Sequence, residues 1–199
     1  MKKRDMTSQQ LIEAALHLFA QHGIEKTSLA MIAAAVGMTK PSIYYHFASK
    51  DELIERVFEY MFSDYHFDHY FSVSELTAEN FALKLYEGGL RMFPEDEEHF
   101  APVFRLLNEF MLTAGRNGHY GERVIAMQRE FLDGFEKVMQ RGTELGVIEP
   151  ENVTVKAHLL ALLIDNITSY MMMGMKLPYQ ELWKEAVNSV FRKGEDRIG

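Results

Sequence analysis

Between residues 27 and 50 the apolar positions change phase twice, and the breaks delimit three helices. Leu29, Ile32, Ala33 and Val36 fall at i, i+3, i+4 and i+7, a single apolar face. Thr27 or Ser28 is placed to cap that helix, and Gly37 closes it with a turn that only glycine takes without steric cost. A second, short helix follows, with Thr39 as its cap, Pro41 in its first turn, and Ile43 and Phe47 as its buried stripe. Ser49 and Glu52 form a capping box that opens a third helix. Upstream, Ile12, Ala15, Leu16 and Phe19 give the inner face of a helix predicted over about 7–22, with Thr7 and Gln10 as its capping box.

The rest of the chain also reads as helical, with no convincing period-2 strand. The helix opened by Ser49 is predicted to run to about residue 70 and to connect two domains, 1–50 and 51–199. Breaks near 74–77, 94–96, 115–118, 146–150 and 177–178 separate helices near 79–92, 97–114, 120–145, 152–174 and 179–193. The acidic run Glu95–Glu98 loads the start of one of these, where carboxylates suit the dipole. From Ala157 to Ile164 the helix is apolar almost all round, which calls for burial on every side. A second copy of the chain supplies that cover if helices 152–174 and 179–193 pair across a two-fold axis; a monomeric bundle core is the competing reading.

On the short helix, Lys40, Ser42, Tyr44, Tyr45 and His46 crowd a turn and a half. Adjacent tyrosines cannot both point inward, and with Lys40 and Lys50 beside them they suit a surface that meets DNA phosphates and base edges. Lys50 lies in the first turn of its own helix, where a cation opposes the dipole and a docked phosphate would reverse the penalty. Plainer readings stand beside these: Tyr45 packing on the first helix, His46 bonding a neighbouring helix end, Lys40 simply solvated.

The segment 7–60 resembles the TetR (TetR/AcrR) family of bacterial transcriptional regulators. The resemblance is carried by Leu16, Phe19 and Gly23-Ile24, then Thr27-Ser28, Ile32-Ala33 and Val36-Gly37, and by Tyr44-Tyr45-His46-Phe47 followed by Lys50-Asp51-Glu52-Leu53. It implies an all-α homodimer with an N-terminal three-helix, helix-turn-helix DNA-binding domain and a C-terminal helical ligand-binding and dimerisation domain. By position, Lys40, Pro41, Ser42 and Tyr44 match the family's base-reading residues. Tyr44, His46, Lys50 and the hydroxyls of Thr27 and Ser28 match its phosphate contacts. Ala30 departs from the pattern, because the family often has a polar or basic reader there.

Charge sharpens this picture. The chain carries −8, yet residues 1–50 hold six Lys/Arg against three acids, +3, which leaves −11 on the remainder. A basic head on an acidic body suits one end facing phosphates. Lys2-Lys3-Arg4 reads either as a DNA-contacting arm or as a solvated tail. No apolar run reaches membrane-span length, no secretory pattern opens the chain, and cysteine is absent, which together fit a cytoplasmic protein without disulfide chemistry.

The middle of the chain is rich in residues that line pliable apolar pockets: Tyr65, Phe104, Leu107, Phe110, Met111, Met127, Phe131, Tyr170 and Met171, with Asp165 and Asn166 as polar groups in an apolar helix. Each is also an ordinary core position. As a set, within the resemblance, they favour a bulky, largely apolar effector. Asp64, His66, Asp68 and His69 cluster with two histidines three apart, but that spacing is common by chance, and neither a metal nor another cofactor is expected. No nucleophile motif, phosphate loop or HExxH points to an enzyme. The expected function is therefore a ligand-responsive transcriptional regulator, a repressor, that binds a palindromic operator on double-stranded DNA as a homodimer and is released by its effector. A helical small-molecule carrier or enzyme that has lost operator binding is the alternative.

Overall fold

The computed structural model describes residues 3–63, 65–94, 106, 109–110 and 118–191, without the side chains of 3–5 and 118–120. The helices are α1 (Lys3–His22), α2 (Leu29–Ala35), α3 (Lys40–Ile43), α4 (Lys50–Met61), α5 (Phe67–Tyr70), α6 (Phe81–Leu90), α7 (Gly118–Glu144), α8 (Val153–Met172) and α9 (Tyr179–Ser189). Leu106, Glu109 and Phe110 are helical as well. Among the described residues no strand forms; one isolated antiparallel bridge joins Ile148 and Phe191. The fold is all-α.

Contacts divide the chain into two units: Met1–Tyr65 with Pro102–Gly121, and His66–Ala101 with Glu122–Gly199. The unit that holds the helix-turn-helix thus runs past residue 50 and recruits a segment from the middle of the chain. In it α1 packs on α4 and α2, and α2 on α3. Leu11, Ala15, Phe19, Ile32, Ile43 and Leu53 are its fully enclosed core.

Three helix boundaries differ from the sequence expectation by four residues or more, one of them the end of α9 at Ser189 instead of about 193. α1 starts at Lys3 rather than near Thr7, since nothing in residues 3–6 breaks a helix and Thr7 is accommodated inside it. The long connecting helix stops at Met61 instead of continuing to about 70. There the Ser63 hydroxyl donates to the Tyr60 carbonyl, offering the backbone a local alternative to the helical bond. The chain restarts as α5, whose opening amide, Phe67 N–H, donates to the Glu130 carboxylate at 3.0 Å.

In the second unit α6 packs on α9, and α9 on α8. Its core is aromatic: Phe67 stacks on Phe71 at 4.8 Å and meets Phe131 and Phe135 edge-on at 5.7 and 5.3 Å. Trp183 is fully buried and donates its indole N–H to the Tyr86 carbonyl at 2.9 Å. These rings lie so close to backbone that a Cβ on Gly88, Gly89 or Gly134 would fall within 2.4 Å of Phe71, Trp183 or Phe67. Glycine is what lets them in.

Candidate nucleic-acid interface

Each predicted device of the helix-turn-helix is present, with one adjustment. Ser28 caps α2, its Oγ accepting the Met31 N–H at 3.3 Å. Gly37 sits at φ +72°, and the Gly37 and Met38 amides donate back to Ala34 and Ala33, a Schellman closure of α2. Thr39 precedes α3 as its cap residue, but its hydroxyl pairs with Ser42 Oγ at 2.9 Å instead of with a backbone amide. Backbone bonds from Tyr45, His46 and Phe47 to Ser42 and Ile43 carry α3 a further turn. Ser49 accepts the Glu52 N–H, and Glu52 reaches back to the Ala48 amide.

With Ile43 and Phe47 buried, the opposite side of this helix faces outward. Lys40 and Pro41 are exposed, Tyr44 is 50% exposed and Tyr45 78%. Large aromatic surface left in water is costly unless something covers it, and flat faces beside a lysine fit sugar-phosphate and base edges. On α2 the outward residues are Ala30, Met31, Ala34 and Ala35, which offer no polar side chain. That helix offers amides, the Ser28 hydroxyl and methyl groups, while exposed Lys40 and Tyr44 belong to α3 and its C-terminal turn. Ser28 uses its oxygen as an acceptor in the cap, which keeps its O–H available to a phosphate.

Three expected phosphate ligands are employed inside the fold. Thr27 is fully buried, and its hydroxyl donates to the Gly23 and Leu18 carbonyls at 2.9 and 3.2 Å. The Lys50 ammonium reaches the Ile24 carbonyl at 2.5 Å and that of Glu25 at 3.5 Å. This answers the unfavourable first-turn cation: the charge is taken up by carbonyl oxygens of the α1–α2 turn. His46 is half-buried with Nδ1 2.8 Å from Ser8 Oγ, tying the end of α3 to α1. The family resemblance implies a phosphate beside all three; only the packing shows where their polar atoms point.

The pocket candidates separate between the units. Phe110 is fully buried edge-on to Phe58 at 5.1 Å, and Tyr65 is half-buried near Phe62. Phe131 is buried against Phe67 and Tyr70, Met127 and Met171 are half-buried, and Asn166 and Tyr170 face outward from α8. Phe104, Leu107 and Met111 lie outside the described residues, as do Asp64 and the run Glu95–Glu98. Asn166 donates to the Leu162 carbonyl, while Asp165 bonds Gln128 and burial pushes its carboxyl above the usual aspartate range. A cavity of about 40 Å³ bordered by Tyr70, Glu75, Lys84 and Arg91 has room for a few waters and no organic effector. The His66 and His69 rings stand 5.6 Å apart, and His66 Nδ1 lies 3.2 Å from Glu130. Among the described residues no three or more His, Asp or Glu side chains gather to share an ion, and no helix is long and apolar enough to cross a membrane.

Residues 11–57 match the family model described as bacterial regulatory proteins, tetR family. The HTH-type transcriptional regulator AcrR of Shigella flexneri is 43% identical over 53 residues, 27% of this chain and 25% of that protein. The chain thus matches about a quarter of AcrR's length. The HTH-type transcriptional repressor KstR2 of Mycobacterium tuberculosis is 28% identical over 144 residues, 71% of this chain and 69% of that one. In fold, the chain is similar to SmeT in its complex with triclosan, with a TM-score of 0.69 over 95% of this chain and 93% of that one at 19% identity. The helix-turn-helix with its outward-facing residues, the matched segment and the all-helical architecture agree: residues 11–57 carry the tetR-family segment of bacterial regulatory proteins, on an all-α fold similar to that of SmeT.

Proposed function

We propose that this protein is a ligand-responsive transcriptional repressor that binds a palindromic operator as a homodimer and is released by a bulky, largely apolar molecule. The observation that carries the reading is the outward face of α3, where Lys40, Tyr44 and Tyr45 stand exposed above a fully buried Ile43. In this reading α3 enters the major groove, with Lys40, Ser42 and Tyr44 toward base edges and Tyr45 and Ser28 toward phosphates. Support for a second copy comes from α8, on which Val155, Leu159, Leu162, Tyr170 and Met173 form an exposed stripe at helical spacing. Leu159 and Leu162 are 62% and 57% exposed. Such a stripe, interrupted only by Asn166, supports pairing with a second copy of the chain. An apolar effector is supported by the aromatic and methionine content of the second unit and by triclosan in the SmeT complex.

Selection of genomic fragments on the purified protein tests this, followed by salt-dependent binding to the enriched duplex and to a scrambled one. A palindrome bound with a large specificity ratio is the expected result. Weak and equal binding to both duplexes by the folded protein would favour the carrier or enzyme reading.

A further inference from the structure

Glu109 lies 85 residues from the α1–α2 turn in sequence, yet its Oε2 accepts the Ile24 N–H at 3.0 Å. Its Oε1 comes within 3.0 Å of where a Cβ on Gly23 would sit, so the carboxylate seats on a turn that glycine, at φ +83°, leaves open. The carbonyl of the same Ile24 accepts the Lys50 ammonium from α4. One residue, Ile24, is therefore held at its N–H by Glu109 and at its C=O by Lys50, while Thr27 donates to the Gly23 carbonyl of the same peptide unit as the Ile24 N–H. Four residues on, Ser28 caps α2. Leu106 and Phe110, on either side of Glu109 in sequence, are both fully buried, and Phe110 meets Phe58 of α4.

We infer that Glu109 is a positioning residue for DNA binding: through Ile24 it sets the turn from which α2 starts. The inference rests on the repressor reading above. Any displacement of Glu109 strains or breaks its bond to Ile24 and loosens the α1–α2 turn. Charge works in the opposite sense, since a carboxylate in a unit that approaches phosphates lowers affinity.

That opposition supplies the test. Full-length Glu109→Ala, Glu109→Asp and Glu109→Gln are compared with wild type on the selected operator and its scrambled counterpart, and exchange of the Ile24 amide is followed by NMR. Aspartate keeps the charge but falls about 1.5 Å short, whereas glutamine loses the charge and keeps an acceptor oxygen in place. The expected result is a loss of about tenfold in operator affinity for Ala and Asp, with faster Ile24 exchange, and near-wild-type behaviour for Gln. Should Ala fail to fold, the Asp and Gln pair decides alone. Tighter binding by Ala and Gln with Asp unchanged would mean that only charge matters, and equal binding by all three would likewise overturn the inference. A wild-type protein without operator preference counts against the repressor reading; Ile24 exchange then judges the contact by itself, and equal rates in wild type and Glu109→Ala overturn it.

Discussion

At the residue level, function and stability exchange places in this protein. Thr27 and Lys50, both candidates for phosphate contact by position, hold the α1–α2 turn from below and from the side. Two bonds from an ammonium to carbonyls are charge-assisted, so Lys50→Met is expected to lower unfolding free energy by about 1–2 kcal/mol in urea titrations. A lysine that acted only on a phosphate would leave stability unchanged and reduce the salt slope of DNA binding by about one. Asp165 offers a pH-dependent case. Burial raises its carboxyl above the ordinary 3.8, so the folded chain holds this proton to higher pH than the unfolded chain does. Its ionisation destabilises the fold above the raised value, and the effect fades as pH falls toward 3.8. Asp165→Asn should accordingly raise the melting temperature at pH 7, with the difference from wild type shrinking near pH 4 in parallel thermal scans.

Among the helices, close approach explains what periodicity alone leaves open. Gly88 and Gly89 on α6 look like helix-weakening residues in sequence, yet they admit Phe71 and Trp183 against the backbone. Gly89→Ala would drive a methyl into the indole ring, and the expected cost is about 1–3 kcal/mol by calorimetry, despite the better helix propensity of alanine. α4 teaches the converse. Its apolar spacing continues toward residue 70, but a serine hydroxyl at 63 and a carboxylate waiting at Glu130 end one helix and begin another. Periodicity located the caps at Ser28, Gly37 and Ser49 because those devices are local. Where α5 begins was decided by a group distant in the chain, Glu130.

For the whole molecule, the exposed stripe on α8 is the feature that a single chain leaves unfinished. Introducing Leu159→Glu together with Leu162→Glu should yield monomers by light scattering and should lower operator affinity by well over tenfold, because each half-site then binds alone. A double variant that stays dimeric and binds normally would move the interface elsewhere. Local signals in the chain were sufficient for the helical class and the helix-turn-helix, since capping, glycine turns and four-residue spacing act over a few residues. They could not show that Thr27 and Lys50 turn inward, nor that Glu109, an unremarkable acid in sequence, reaches Ile24. Those are hydrogen bonds between residues 25 or more apart, or choices of side-chain direction, and they exist only once the helices have packed.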